Sequence, residues 1–428
     1  MTAIVGILNK RAAVIAADSA LTVQRGGNTQ IYNNATKIFK LSDKQPVGAM
    51  IFSSDSFMGV PLSVLFGIYR AKFGKQSFST LQGYVDNFIS FLAKEPHFDN
   101  AEQQHRYLRG EIGSFYDKVK KYTEESLKQY LDSEDGNSIS DEERDLIKRS
   151  KMKEGMQAIT DTIDELEDIK KKSPEFEKYS FKNFMAYAKA DIEGLNELCE
   201  EDDLPSDMSD DWAKGFYDYL CSQFYYDGTG IVFVGYGTDE LFPSLIPIYV
   251  SGIVDGRIRY TFSRDEEEHI GIDNESAICP FAQCDVMMTV MKGISPALRE
   301  KVDVATSEAV SMTKDKMIEA MKAAGVDADT IAKIQETDLQ EVTDRHGEQI
   351  KDFIQTEYVN GLIDTVESFG VEDMANMAES LISITNLQRH ITASEESVGG
   401  PVDVAVITKA EGFVWMKHKD WNTEELSR

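Results

Sequence analysis

Cysteine is scarce in this chain: four residues, Cys199, Cys221, Cys279 and Cys284, with no CxxC spacing. The six histidines are scattered, with no HExxH and no Cys/His cluster. These absences exclude a disulfide framework and a zinc site, and no metal or organic cofactor is expected. No GxxxxGK[ST] occurs, so any ATP-driven step needs a separate partner. There is no stripe of Lys or Arg, and the net charge of -29 has the sign of nucleic acid and of anionic membranes; neither is expected as a partner. The head of the chain lacks a basic-then-apolar signal pattern. The apolar stretch from Val47 to Tyr69 is broken by Ser53, Ser54, Asp55 and Pro61, which leaves a cytoplasmic protein without a membrane span as the expectation.

What is present is ordinary globular material, 42% hydrophobic and 28% charged, at a length of 428 residues that can bury a large core. Ala3 to Leu8 and Ala12 to Ala17 are β-branched-rich segments separated by Asn9-Lys10-Arg11, the pattern of a buried hairpin. Gln24 to Thr29 reads as a loop, and Lys37 to Leu41 and Val47 to Phe52 read as strands. Helical spacing covers Phe57 to Lys72, and Ser79-Thr80-Leu81-Gln82 caps a helix ending near Lys94. From 96 to 228 the chain is rich in Glu, Asp and Lys, with almost no strand signal. Within it, Asp132, Glu134 and Glu143 superficially match a calcium loop, but Gly136 stands one place early for the turn, so they read as a solvated acidic loop.

Strand signal returns at Gly230 to Gly237, Leu245 to Ile253 and Arg257 to Phe262, the last two joined at Asp255-Gly256. A helix over about Pro280 to Lys292 follows, then a charged helical stretch from 296 to 369 with Gly325 and Gly347 as expected breaks. A helix over Glu372 to Arg389 and a hairpin pairing Val402 to Thr408 with Gly412 to Lys417 come last. The order predicts an α+β fold layered helix, sheet, sheet, helix. Its core is discontinuous, 1–95 plus 229–295 plus 370–428, with helical insertions at 96–228 and 296–369. The three core blocks come to roughly 220 residues, an ordinary single-domain size.

The chemistry concentrates in the first forty residues. If Met1 is removed, Thr2 carries a hydroxyl nucleophile and a free amine base on one Cα. An α-amine has a pKa of roughly 7.7 to 8, poised for general-base work where a lysine side chain is not. A nearby Lys37 ammonium lowers it further and favours the Thr2 alkoxide, and Asp18 holds that lysine charged. Singly, Thr2 is a small second residue, Asp18 a strand-end turn residue and Lys37 an edge-strand charge; their joint spacing is what speaks against those readings.

Three elements carry that spacing: Thr2-Ala3-Ile4-Val5-Gly6, then Ala17-Asp18-Ser19 with Asp18 sixteen residues after Thr2, then Lys37-Ile38. In this order they resemble the proteasome β subunits and their bacterial relative HslV, members of the N-terminal nucleophile (Ntn) hydrolases. Gly235-Tyr236-Gly237, the hairpin over Asp255-Gly256 and Val398-Gly399-Gly400 look like that family's central strands and closing turn, so the resemblance covers about half the chain. It implies a four-layer αββα sandwich and catalysis by Thr2, Asp18 and Lys37. Ser53 and Ser54 stand where typical β subunits have a glycine whose N–H helps form the oxyanion hole; the backbone donor survives, but a side chain crowds the cleft. The family's supporting elements fall near Asn274-Glu275-Ser276 and Glu395-Glu396-Ser397-Val398-Gly399, so Ser276, Glu395, Ser397 and Gly399 are expected beside the site.

The function these residues imply is a threonine peptidase that hydrolyses peptide bonds through an acyl-enzyme. Its partners would be a peptide or protein substrate, further copies of itself in an oligomer, and a separate ATPase unfoldase. Two other readings stay open: an amidohydrolase acting on a small amide, and a catalytically silent scaffold that binds a partner through its helical insertions.

Overall fold

Two periodicities organise the molecule: the alternation along its strands and the 3.6-residue repeat of the helices that cover them. The computed structural model describes residues 2–25, 28–32, 35–132, 140–164, 172–222, 228–392 and 399–419. The protein is mixed α+β, 56% helix and 20% strand, with antiparallel sheets. The chain divides into two compact units, one from residues 1–38, 241–244 and 268–428, the other from 39–240 and 245–267.

In the first unit a five-stranded sheet runs in the order Ser276–Ala282, Ala3–Asn9, Ala13–Ala17, Asp403–Thr408, Gly412–Lys417, antiparallel throughout. Asn9 makes the first turn, its Oδ1 accepting from Arg11 N at 2.9 Å and Ala12 N at 3.2 Å. Ala3, Val5, Ile7, Val14, Ala16, Val404 and Val406 pack with Met287 of the helix Asp285–Lys292 and with Met374, Ala378, Leu381 and Ile382 of the helix Val371–Ile391. Ile4, Leu8, Ile15 and Ile407, on the alternate positions, are fully buried as well. Each such aliphatic side chain contributes about 1.5–3 kcal/mol by leaving water. Pro296–Ala323, Ala328–Gln335 and Gln340–Ile354 belong to this unit too, and of their side chains only Ile318 and Ile331 are buried. Gly325, at φ +78°, ends the first of these helices, whereas Gly347 lies inside Gln340–Ile354 and breaks nothing.

In the second unit the strand order is Arg257–Phe262, Ser244–Val254, Thr229–Gly235, Val47–Phe52, Ile38–Lys40. Val47, Ala49, Ile51, Ile231 and Phe233 pack on Leu65, Phe66, Tyr69, Tyr84 and Phe88 of the helices Leu62–Phe73 and Leu81–Lys94. Met50, Val232 and Val234, on the alternate positions, are also fully buried. Thr80 caps the second helix by accepting from Gly83 N at 3.3 Å. Two glycines at the exit of Thr229–Gly235 are there for close approach: a Cβ on Gly235 would lie 2.0 Å from Pro46 O, and one on Gly237 2.2 Å from Ser79 O. The helices Ala101–Leu131, Asp141–Asp164, Phe181–Glu201 and Ser209–Cys221 share an aromatic core of their own, built on Phe115, Phe176, Phe184, Trp212 and Phe216. Of the acidic loop read from sequence, Glu134 and Gly136 lie outside the described residues.

Three elements differ from their sequence reading. Ser56–Phe57 pairs with Val60–Pro61 around Met58 and Gly59, both at positive φ, so the helix read from Phe57 begins at Leu62. Leu21–Arg25 pairs with Asn28–Tyr32 as a ribbon where a loop was expected. The strand Ser276–Ala282 runs through Pro280, and its helix starts only at Asp285. Proline is tolerated there because this strand is an edge of its sheet, where a missing N–H forfeits no ladder bond.

Burial in the second unit has an alkaline consequence. Burial pushes the Cys199 and Cys221 thiols from 9.0 up to about 11, and raises the phenols of Tyr69, Tyr107, Tyr179 and Tyr236 above their ordinary 10.0. These acids ionise in the unfolded chain first, so the stability they confer is complete below about pH 9 and is lost as pH rises through their folded values. Melting temperature is expected to fall steeply above about pH 10, and tyrosinate absorbance is expected to appear together with the loss of circular dichroism. Tyrosinate absorbance that rises fully while the fold persists would show these phenols to be open to solvent.

Candidate functional site

The hairpin sets the site. Its register pairs Ile4 with Ala17 and Val5 with Ala16, and one step further brings Ala3 beside Asp18. Asp18 N donates to Ala3 O at 3.1 Å, and Ala3 N donates back to Asp18 Oδ1 at 2.9 Å. The sixteen-residue spacing from Thr2 to Asp18 is therefore the length of two strands and their Asn9 turn. Thr2 itself is 7% exposed, and its carbonyl accepts from Gln283 N at 3.1 Å.

Asp18 is fully buried and accepts four hydrogen bonds. Oδ1 takes Ala3 N and the Lys37 ammonium, the latter at 2.7 Å; Oδ2 takes Ala20 N at 3.1 Å and Gly399 N at 3.3 Å. Lys37 is buried too, its side chain 5% exposed. Burial lowers the Lys37 pKa from 10.5, the Asp18 carboxylate opposes that, and the Lys419 cation adds to the lowering. A carboxylate with this many donors is fixed in orientation. The cluster thus links the Lys37 ammonium through the Asp18 carboxylate to the Ala3 amide, the residue that follows Thr2.

Gly399 is held twice, donating to Asp18 and accepting at its carbonyl from Ser19 N at 3.1 Å. Glu395 and Ser397 lie outside the described residues. Ser276 is not brought into the cluster. It pairs with Asn9 at the far end of the strand whose other end pairs Ala282 with Ala3, and its Oγ donates to Ile363 O at 2.7 Å. Six residues of strand separate the two ends, about 20 Å.

The segment next to Thr2 is instead the turn Ala282-Gln283-Cys284, where Ala282 takes φ +64° and Cys284 N donates to Ala282 O at 2.9 Å. The signal that would have found it is the strand's continuation past Pro280. Ser53 and Ser54 belong to the second unit and are exposed. Ser53 takes φ +71°, a left-handed conformation that glycine adopts freely and other residues seldom do, and Ser54 Oγ accepts from Ser56 N at 3.2 Å.

Sequence reasoning also missed Asp403 and Lys419. Asp403 pairs with Ala17 and is buried; its Oδ2 accepts from Lys419 Nζ at 2.8 Å. Among the described residues, no group of three or more His, Cys, Asp and Glu side chains is placed to hold a metal, and no helix is long and apolar enough to cross a membrane. No protein-family model matches the chain, and no curated protein matches it.

Proposed function

We propose that the protein is an Ntn hydrolase of the proteasome type, a threonine peptidase whose nucleophile is Thr2 with its α-amine free. The observation that carries this reading is the buried cluster in which Asp18 joins the Ala3 amide, next to Thr2, to the Lys37 ammonium. Thr2 Oγ attacks the peptide carbonyl while the α-amine takes the hydroxyl proton and passes it to the leaving amine; water then attacks the ester and frees the acid. Lys37 favours the α-amine in its neutral form and steadies the developing alkoxide, and Asp18 fixes Lys37.

The fold proposed with this chemistry is the four-layer αββα sandwich. What supports it is that helices of its own pack on one face of each antiparallel sheet. Substrates would be peptides or unfolded proteins, delivered to an oligomer by a separate unfoldase. The apolar side chains exposed on the helical stretch of 296–369, among them Met312, Met317, Val342 and Phe353, favour some assembly partner and keep the scaffold reading in view.

Intact-protein mass spectrometry before and after an epoxyketone tests the central claim, because this electrophile closes a ring with both the hydroxyl and the free amine of an N-terminal threonine. The expected result is a mass that places the N-terminus at Thr2, plus one adduct per chain. A folded protein that retains Met1 would have the Thr2 nitrogen locked in a peptide bond, and the peptidase reading would give way to the scaffold.

A further inference from the structure

A second buried ion pair stands behind the first. Lys419 Nζ donates to Asp403 Oδ2 at 2.8 Å, to Ser19 Oγ at 3.0 Å, and to Ala35 O. The Lys419 side chain is 4% exposed and that of Asp403 1%. Asp403 also binds the Lys419 main chain, its Oδ1 accepting from Lys419 N at 3.0 Å.

The groups this ammonium touches are not scattered. Ser19 follows Asp18, and Ala35 comes two residues before Lys37. Ser19 Oγ donates to Pro401 O at 2.7 Å and Ser19 O accepts from Ala35 N at 3.0 Å. One lysine therefore holds together the three segments that carry Asp18, Lys37 and Gly399. A cation buried away from water is costly unless it is paired and fully hydrogen-bonded, and this one has three acceptors. A residue that merely covered the core would need no charge.

We propose that Lys419, with Asp403, is a positioning residue of the Thr2 site, clamping the turns that present Asp18 and Lys37 and supplying a second fixed positive charge behind them. This rests on the Thr2 reading above. The charged groups set around Lys37 are Asp18 at the end of Ala13–Ala17 and Lys419 after Gly412–Lys417, the latter paired with Asp403 at the start of Asp403–Thr408. Lys419 acts on Lys37 in the direction of a like charge, easing its proton off. In the proposal the same positive field extends to the α-amine of Thr2.

The test is the rate of epoxyketone adduct formation followed against pH, in the wild-type chain and in Lys419→Met, Lys419→Arg and the double variant Lys419→Met with Asp403→Asn. Lys419→Met alone leaves Asp403 buried without its cation and is the variant most apt to unfold. The double variant removes both charges and keeps the Asp403 oxygen that binds the Lys419 amide. The double variant is expected to fold, to label about tenfold more slowly at neutral pH, and to show its pH midpoint raised by roughly half a unit, because the amine has lost a neighbouring cation. Lys419→Arg, which keeps the charge, is expected to restore the midpoint more fully than the rate.

A folded double variant with the wild-type rate and midpoint would overturn the proposal. So would a slower rate with an unmoved midpoint that Lys419→Arg does not improve, since that is what loosened packing alone gives. If the wild-type chain itself takes no label, the Thr2 reading fails and this inference falls with it.

Discussion

Thr2→Ala is expected to lose adduct formation and peptide turnover by at least about a thousandfold, while its melting temperature stays near that of the wild type. The asymmetry follows from what the residue contributes. Its carbonyl bond to Gln283 N and the adjoining Ala3 bond to Asp18 are made by main chain, so alanine keeps both. On the proposed reading, the hydroxyl removed is the group that forms the acyl-enzyme. Thr2→Ser keeps the hydroxyl and the amine, and should retain activity within roughly tenfold. Purified variants are compared by intact mass, by release of a fluorophore from short peptide amides, and by thermal melts. Equal turnover by Thr2→Ala and wild type would remove Thr2 from the chemistry; a biological effect that survives the substitution would point to the scaffold.

How much of this is legible in the sequence depends on how local each interaction is. The hairpin that carries Asp18 reads directly, because two short apolar strands around Asn9-Lys10-Arg11 fix their own register. The Leu81–Lys94 helix reads well for the same reason, with Thr80 as its cap. The edge strand Ser276–Ala282 reads poorly. Pro280 looks like a helix start until the neighbouring strand is known, and that hides the Ala282-Gln283-Cys284 turn beside Thr2. Lys419 cannot be read at all, since it acquires a role only when the segments around Ser19, Ala35 and Asp403 converge on it. Gly347 reads as a break in the helical stretch, yet it is tolerated inside Gln340–Ile354 at about 1 kcal/mol relative to alanine.

Asp18 and Lys37 should separate stability from chemistry. Each Asp18 oxygen accepts from two donors, Ala3 N and Lys37 on one, Ala20 N and Gly399 N on the other. In Asp18→Asn the amide nitrogen must face two of these donors whichever way the group turns, and Lys37 is left buried without a counter-ion. The expected cost is about 3–5 kcal/mol, enough to unfold a marginal domain.

Lys37→Met is different. Asp18 still accepts three backbone N–H groups, and burial already works against the lysine's charge. Its expected cost is smaller, about 1–2 kcal/mol. On the proposed reading, both variants should nonetheless lose labelling by roughly a thousandfold, because each removes the cation, or the group that fixes the cation, that assists Thr2. Denaturant melts and adduct rates measured on the same preparations check this. If Lys37→Met labels as fast as the wild type while melting lower, the pair is a structural staple of the hairpin, and the α-amine of Thr2 works without help from its neighbours.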